Sequence, residues 1–290
     1  MGTAGDPGTI VNPRISPDQK SVVFFESHGA VSDIWLFDAE RGNTTRLTSS
    51  LDMAYYPVWS PDGSRIAYAT RQSSRHVVVE RPSSGIGKET ILYYPDSVSY
   101  TQSWSRDGRW LLLVDVPGSF YLLPMGPEGS GGERKPVPFP QSPAEGRHPS
   151  ISPDGRWLLY SSTQTGRREV FVESMPEQMG GPVAGFKRMI SNSGGMQPAW
   201  RADGEEIFYV AADGKMMSVS VDPGGASLKL TLPKPLFKTR LELDSFFRQY
   251  DVSADGKRFL FAEPLEDSAS VPITVIVNWP ELLKKEAGAL

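Results

Sequence analysis

The sequence predicts an all-β fold, a six-bladed β-propeller of four-stranded antiparallel blades around a central channel. Three observations predict it: one turn motif occurs six times, its copies lie about one blade apart, and each interval carries the same run of short strands. The copies are Asn12-Pro-Arg-Ile-Ser-Pro-Asp-Gln, Tyr56-Pro-Val-Trp-Ser-Pro-Asp-Gly, Thr101-Gln-Ser-Trp-Ser-Arg-Asp-Gly, His148-Pro-Ser-Ile-Ser-Pro-Asp-Gly, Gln197-Pro-Ala-Trp-Arg-Ala-Asp-Gly and Gln249-Tyr-Asp-Val-Ser-Ala-Asp-Gly. Their shared aspartates, Asp18, Asp62, Asp107, Asp154, Asp203 and Asp255, are separated by 44, 45, 47, 49 and 52 residues.

Within each unit the elements follow in a fixed order. A short first strand ends in the Ser-Pro-Asp-Gly turn, where proline presets φ and glycine takes the positive-φ place of a tight hairpin. An apolar second strand follows, as in Val22-Val-Phe-Phe25, Ile66-Ala-Tyr68, Leu111-Leu-Leu113, Leu158-Leu-Tyr160, Ile207-Phe-Tyr209 and Phe259-Leu-Phe261. Third strands are seen at Asp33–Phe37, Val77–Val79, Phe120–Leu123 and Val170–Val172, and a more polar fourth segment such as Thr44–Thr48 closes the unit. A 3.6-residue period is absent except over Pro280 to Lys285. The second strands belong between blades, the small or polar first strands along the channel, and the fourth strands against solvent. Trp59, Trp104 and Trp200 share one repeat position with Ile15, Ile151 and Val252, which reads as inter-blade core.

The domain organisation read from this pattern is a tail over 1–11, one propeller over 12–279 and a tail over 280–290. Blade 6 has strands near Arg258–Ala262 and Ile273–Asn278 but no obvious fourth strand after Trp279; Thr9-Ile10-Val11 are candidates to complete it from the other end of the chain, the alternatives being a three-stranded blade or a contribution from an upstream portion of the protein.

Bulk properties narrow the partners. The chain has 290 residues, 39% hydrophobic and 10% aromatic, enough for a substantial core; 28 Gly and 25 Pro recur as turn punctuation. Thirty basic against 34 acidic residues and no long basic run argue against nucleic acid and anionic membrane. Cysteine is absent, which removes disulfides, thiolate metal sites and thiol nucleophiles. No stretch is long and apolar enough to insert in a membrane, and Met1–Pro7 lacks the apolar core of a signal peptide.

The six turns resemble the TolB-type, WD40-like propeller repeat over Asn12 to about Trp279. The segments Ile151–Tyr160, Gln197–Gly204 and Tyr250–Phe259, with the ending Pro272-Ile-Thr-Val-Ile-Val-Asn-Trp279, look most like the propellers attached to bacterial serine/threonine kinases and related sensors. That resemblance implies an accessory sensing or docking domain in a periplasmic or other extracytoplasmic setting. Kinase elements themselves are absent: there is no glycine-rich phosphate loop, no His-Arg-Asp and no Asp-Phe-Gly.

Propeller geometry then sorts the polar residues. The blade-to-blade links and the loops between second and third strands share one face. Just before or within the first strands, Tyr56, Tyr100, Gln102, Arg147, His148, Gln197, Arg248 and Gln249 are expected to ring the channel mouth. His28, Arg71, His76, Arg167 and Arg168, with Arg75, are expected in loops of that face. The three histidines fall in different blades and loop types, without helix spacing or an accompanying carboxylate cluster, so neither metal nor cofactor is expected. The repeated aspartates read as turn builders rather than catalytic carboxylates, there is no Gly-x-Ser-x-Gly elbow, and Gly126–Gly132 reads as a blade connection rather than a phosphate cradle.

The reading is therefore a non-enzymatic binding module that presents one propeller face to a protein or peptide, with an acidic peptide or small anionic ligand suited to the basic and aromatic rim. The alternatives are a lyase- or lactonase-like propeller enzyme with a multi-blade site in the channel, and an accessory domain of a kinase or peptidase.

Overall fold

The computed structural model describes residues 3–4, 9–29, 31–49, 53–126, 134–140, 143, 145–176, 181, 185–222, 228–262 and 273–276. Its strands form six antiparallel sheets, one for each copy of the repeat. The sheets begin with inner strands Thr9–Ile15, Ala54–Trp59, Ser99–Trp104, Arg147–Ile151, Gly195–Trp200 and Tyr250–Val252. The second strands, Ser21–His28, Arg65–Gln72, Trp110–Asp115, Trp157–Ser162, Glu206–Ala211 and Phe259–Ala262, are the most completely buried. In the fifth sheet Lys215–Asp222 pairs with both Lys229–Leu230 and Lys234–Lys238, so its outer strand is divided.

The aspartate turns share one construction, in which the aspartate side chain closes each of them. Asp62 accepts the Ser60 hydroxyl and the Ser64 N–H, and Ser60 Oγ in turn accepts the Arg65 N–H. The same pattern holds at Asp18, Asp107, Asp154 and Asp255; at Asp203 the guanidinium of Arg201 replaces the serine hydroxyl. These bonds favour the ionised carboxylate, and Asp62 is held down to about 2, first by Ser60 and then by Ser64. The turn glycines Gly63, Gly108, Gly155, Gly204 and Gly256 have φ of 71–80°, the left-handed region that glycine enters at least cost. In the first turn Gln19 takes that place at φ 64°, and its side chain reaches across to accept the Ala254 N–H of the last blade.

Apolar packing is divided into six clusters, each shared by neighbouring sheets. Phe25 and Ile34 meet Tyr55 and Tyr68; Val58 and Val78 meet Leu111 and Leu113; Leu112 and Phe120 meet Leu158 and Tyr160. Leu159 and Val170 meet Ile207 and Tyr209, and Phe208 meets Tyr250 and Phe259. The sixth cluster packs Leu260 of the last sheet on Ile10, Val22 and Phe24 of the first, which closes the ring.

Closure differs in one detail from the sequence expectation. Thr9, Ile10 and Val11 pair with Ser27, Glu26 and Phe25 and so begin the first blade. Their strand continues through a bulge at Asn12-Pro13 rather than ending before it. The last blade is instead completed by Thr3–Ala4, paired with Ile273–Ile276. Most of the Gly126–Gly132 loop, the end of the Pro272–Trp279 signature and the 280–290 tail lie outside the described residues.

Candidate functional site

The inner strands share an irregularity that shapes the channel mouth. Five of them shift register midway, at Asn12-Pro13, Tyr56-Pro57, Gln102, His148-Pro149 and Gln197-Pro198. Proline cannot donate to the ladder, so an X-Pro step in a strand favours a bulge, and the bulge re-aims the preceding side chain. Asn12, Tyr56, His148 and Gln197 consequently have φ of 51–55°, an uncommon conformation for residues other than glycine.

The link between the last two blades, residues 239–249, lies across this mouth. Asp244 accepts Arg147 Nη1 at 3.0 Å and Arg168 Nε at 2.7 Å, fixing the link to the fourth blade. The Phe246 carbonyl accepts Tyr56 Oη at 3.3 Å and lies 3.1 Å from His148 Nε2. The Arg147 guanidinium stands 3.6 Å from the Phe246 ring centre. Phe247 packs on Phe25 and Tyr56, and Tyr56 stacks on Tyr100 with centroids 4.5 Å apart. Burial raises the Tyr55 hydroxyl to about 12 and moves those of Tyr56 and Tyr100 upward as well, so all three stay neutral hydrogen-bonding groups.

Two depressions result. One, of about 290 Å³, is lined by Tyr56, Tyr100, Gln102, Arg147, His148 and Phe246 among others. A broader groove of about 710 Å³ runs over Phe25, Tyr55, Tyr56, Tyr100, Phe246 and Phe247, with His76 at its edge donating to or accepting from Tyr55 Oη at 2.8 Å. Tyr56, Tyr100 and Phe246 belong to both. Phe246 is 64% exposed and Val116 56%, large apolar side chains facing solvent at a concave site.

Other residues expected at the mouth are used differently. Gln197 and Gln249 are buried and bonded to each other, Gln197 Nε2 to Gln249 Oε1 at 3.0 Å. Arg248 is among the largest fully buried side chains, inside the ring. His148 is also buried, and desolvation followed by Arg248 and Arg147 holds its imidazole well below the usual histidine range, neutral at physiological pH. In the loops, Arg167 is engaged by Glu169, Arg168 by Asp244, and His28 stands 3.3 Å from Glu26. Arg71 and Arg75 are exposed, with Arg75 over the Tyr94 ring. The rim is therefore less basic than its arginines suggest, because carboxylates meet several of them. Phe246 and Phe247, central to the mouth, have no counterpart in the repeat; the only sequence signal for them is the longest interval, 52 residues, that precedes the last turn. Among the described residues no group of three or more His, Asp or Glu could hold a metal ion.

Fold and mouth together define a β-propeller with an aromatic-lined, loop-covered channel entrance. The chain matches the family described as the TolB beta propeller domain over residues 3–175, and it belongs to that TolB-type propeller family. It is similar to the uncharacterized peptidase YuxL of Bacillus subtilis, at 27% identity over 155 residues covering 53% of this chain and 22% of that protein. It is likewise similar to the Tol-Pal system protein TolB of Bordetella pertussis, at 24% identity over 152 residues covering 52% of this chain and 34% of that protein. The chain thus spans about a fifth to a third of the length of these curated relatives. Among solved structures, TolB from Acinetobacter baumannii superimposes with a TM-score of 0.64 at 17% identity, covering 96% of this chain and 63% of that one.

Proposed function

We propose that this propeller is a binding module that docks an extended peptide segment of a partner protein in the aromatic groove at the channel mouth. The observation that carries the reading is the groove itself, about 710 Å³ with six aromatic side chains in its lining, the exposed Phe246 among them. Rigid aromatic side chains give large contact area at small entropic cost, and a concave aromatic site with a few polar groups is the usual form of a recognition pocket. Since carboxylates already meet Arg147, Arg167 and Arg168, apolar and aromatic side chains of the partner supply most of the affinity, with Arg71 and Arg75 left to favour acidic neighbours. The Tol-Pal name of one relative supports a role in a protein assembly, and the proposal includes an extracytoplasmic location and service as a docking domain of a larger protein.

Selection of peptides from a displayed random library against the immobilised chain tests this. Enriched peptides should carry an aromatic or large aliphatic residue. The double variant Tyr100→Ala/Phe246→Ala should bind them at least tenfold more weakly, since truncating a central aromatic anchor removes about 2 kcal/mol or more. Peptides that bind the double variant unchanged, or a library that yields no enrichment, would refute the reading.

A further inference from the structure

Beneath the mouth the channel holds an excess of positive charge, with Arg248 fully buried and Arg14 half-buried. At residues 11–15 and the five equivalent stretches of the repeat, the charged side chains are Arg14, Arg147, Arg248 and Asp251. Arg147 is neutralised from above by Asp244. Arg14 and Arg248 remain with Asp251, whose Oδ2 already accepts the Ile15 N–H at 2.8 Å. Arg14 crosses the channel to give Nη2 to the Gln102 carbonyl at 2.9 Å, and Arg248 Nη2 lies 3.4 Å from the His148 carbonyl. Those partners are neutral.

Several buried polar atoms in the same place have no hydrogen-bond partner: Arg14 Nε, Arg248 Nε, His148 Nδ1, Ser150 Oγ and both ends of the Asn12 amide. Asn12 is 1% exposed and Arg248 2%, and the Asn12 N–H bonds the Arg248 carbonyl at 2.9 Å, which places the two side by side. Buried polar groups are nearly always satisfied, so a convergence of unsatisfied ones marks the place of a missing partner. Arg14 is drawn down to about 9, first by burial and then by Arg248, the signature of two guanidiniums sharing a low-dielectric site with too little counter-charge.

We propose that the channel binds a small organic monocarboxylate, admitted through the depression lined by Tyr56, Arg147 and Phe246 and held by the guanidiniums of Arg14 and Arg248 with the Asn12 amide. Two arginines against one aspartate leave one positive charge, which a monoanion cancels and a phosphate dianion would overshoot. A planar carboxylate also matches the forked donors of guanidinium. Gln102 and His148 line the depression, and their carbonyls meet Arg14 and Arg248, so the depression adjoins the arginine pair. The site lies below the aromatic groove and does not depend on peptide docking there.

The test uses the full chain in thermal melts and calorimetric titration with acetate, with chloride and phosphate at equal ionic strength as comparators. Acetate should raise the melting temperature saturably and above both comparators. Asn12→Asp, nearly isosteric, places a carboxylate beside Arg248; it should melt higher than the wild type without ligand and bind acetate at least tenfold more weakly. Arg14→Gln should also lose acetate binding. A response to phosphate or chloride equal to that for acetate would overturn the proposal, as would an Asn12→Asp protein that melts lower and still responds to acetate. Peptide selection at the groove can succeed or fail independently of either result.

Discussion

Asn12, Tyr56, His148 and Gln197 occupy one repeat position and one unusual backbone conformation, yet each does something different with it. Tyr56 faces the groove, Gln197 locks to Gln249, Asn12 stands beside Arg248, and His148 is buried beneath the link. The X-Pro step recurs at all four positions and favours a bulge in an inner strand, a consequence the sequence expectation did not include. The fate of each side chain was not legible, since it depends on neighbours in other blades. His148 gives a measurable consequence. Its folded-state pKa lies well below the ordinary 6.5, so the unfolded chain takes up the proton first as pH falls. Its contribution is complete above about pH 6.5 and is lost on acidification, at most about 2 kcal/mol between pH 6.5 and 5. The turn aspartates, whose pKa values are lowered, lose their contribution only below the ordinary carboxylate range, so they do not obscure this window. His76 is lowered too, and for that reason a variant comparison is needed. Denaturant melts at pH 7 and pH 5 should show a smaller stability loss for His148→Gln than for the wild type; equal losses would show that His148 stays paired or solvated in both states.

At the scale of elements, the apolar second strands and Ser-Pro-Asp-Gly turns were readable because they are local: a hairpin needs its own hydrogen bonds and each blade its own buried strand. Ring closure and the link that covers the mouth were not. The closing strand is only Thr3–Ala4, too short to carry a pattern, and the 239–249 link is an insertion with no repeat to align it. The two closing devices differ in strength. A two-residue pairing makes at most a few backbone hydrogen bonds, each worth about 0.5–1.5 kcal/mol net. Leu260, packed on Ile10, Val22 and Phe24, is 3% exposed, and truncating such a side chain costs about 2–5 kcal/mol. Deleting residues 1–8 should therefore destabilise the protein less than Leu260→Ala does, as read from urea midpoints. The reverse order would assign closure to the edge strand.

For the whole molecule, the six clusters join every sheet to both of its neighbours, including the last to the first. An open array of repeats loses its end units first, because terminal units have one neighbour only. A closed ring has no end unit, and opening any one interface exposes two apolar faces at once. The polar contacts agree: Asn12 N–H to the Arg248 carbonyl, Ile15 N–H to Asp251 and Ala254 N–H to Gln19 all tie the first blade to the last. The mouth gains rigidity from the same arrangement, since the Asp244 link is anchored on the fourth blade while its far end continues into the sixth. Equilibrium unfolding should accordingly be a single transition, with fluorescence of the seven tryptophans, which include Trp35, Trp59, Trp104, Trp157 and Trp200 in five different blades, coinciding with far-ultraviolet circular dichroism. Leu260→Ala should shift both probes together. If instead it splits them, with one part of the ring melting before the rest, closure adds contacts without coupling the blades, and the groove and channel would have to be held by their local blades alone.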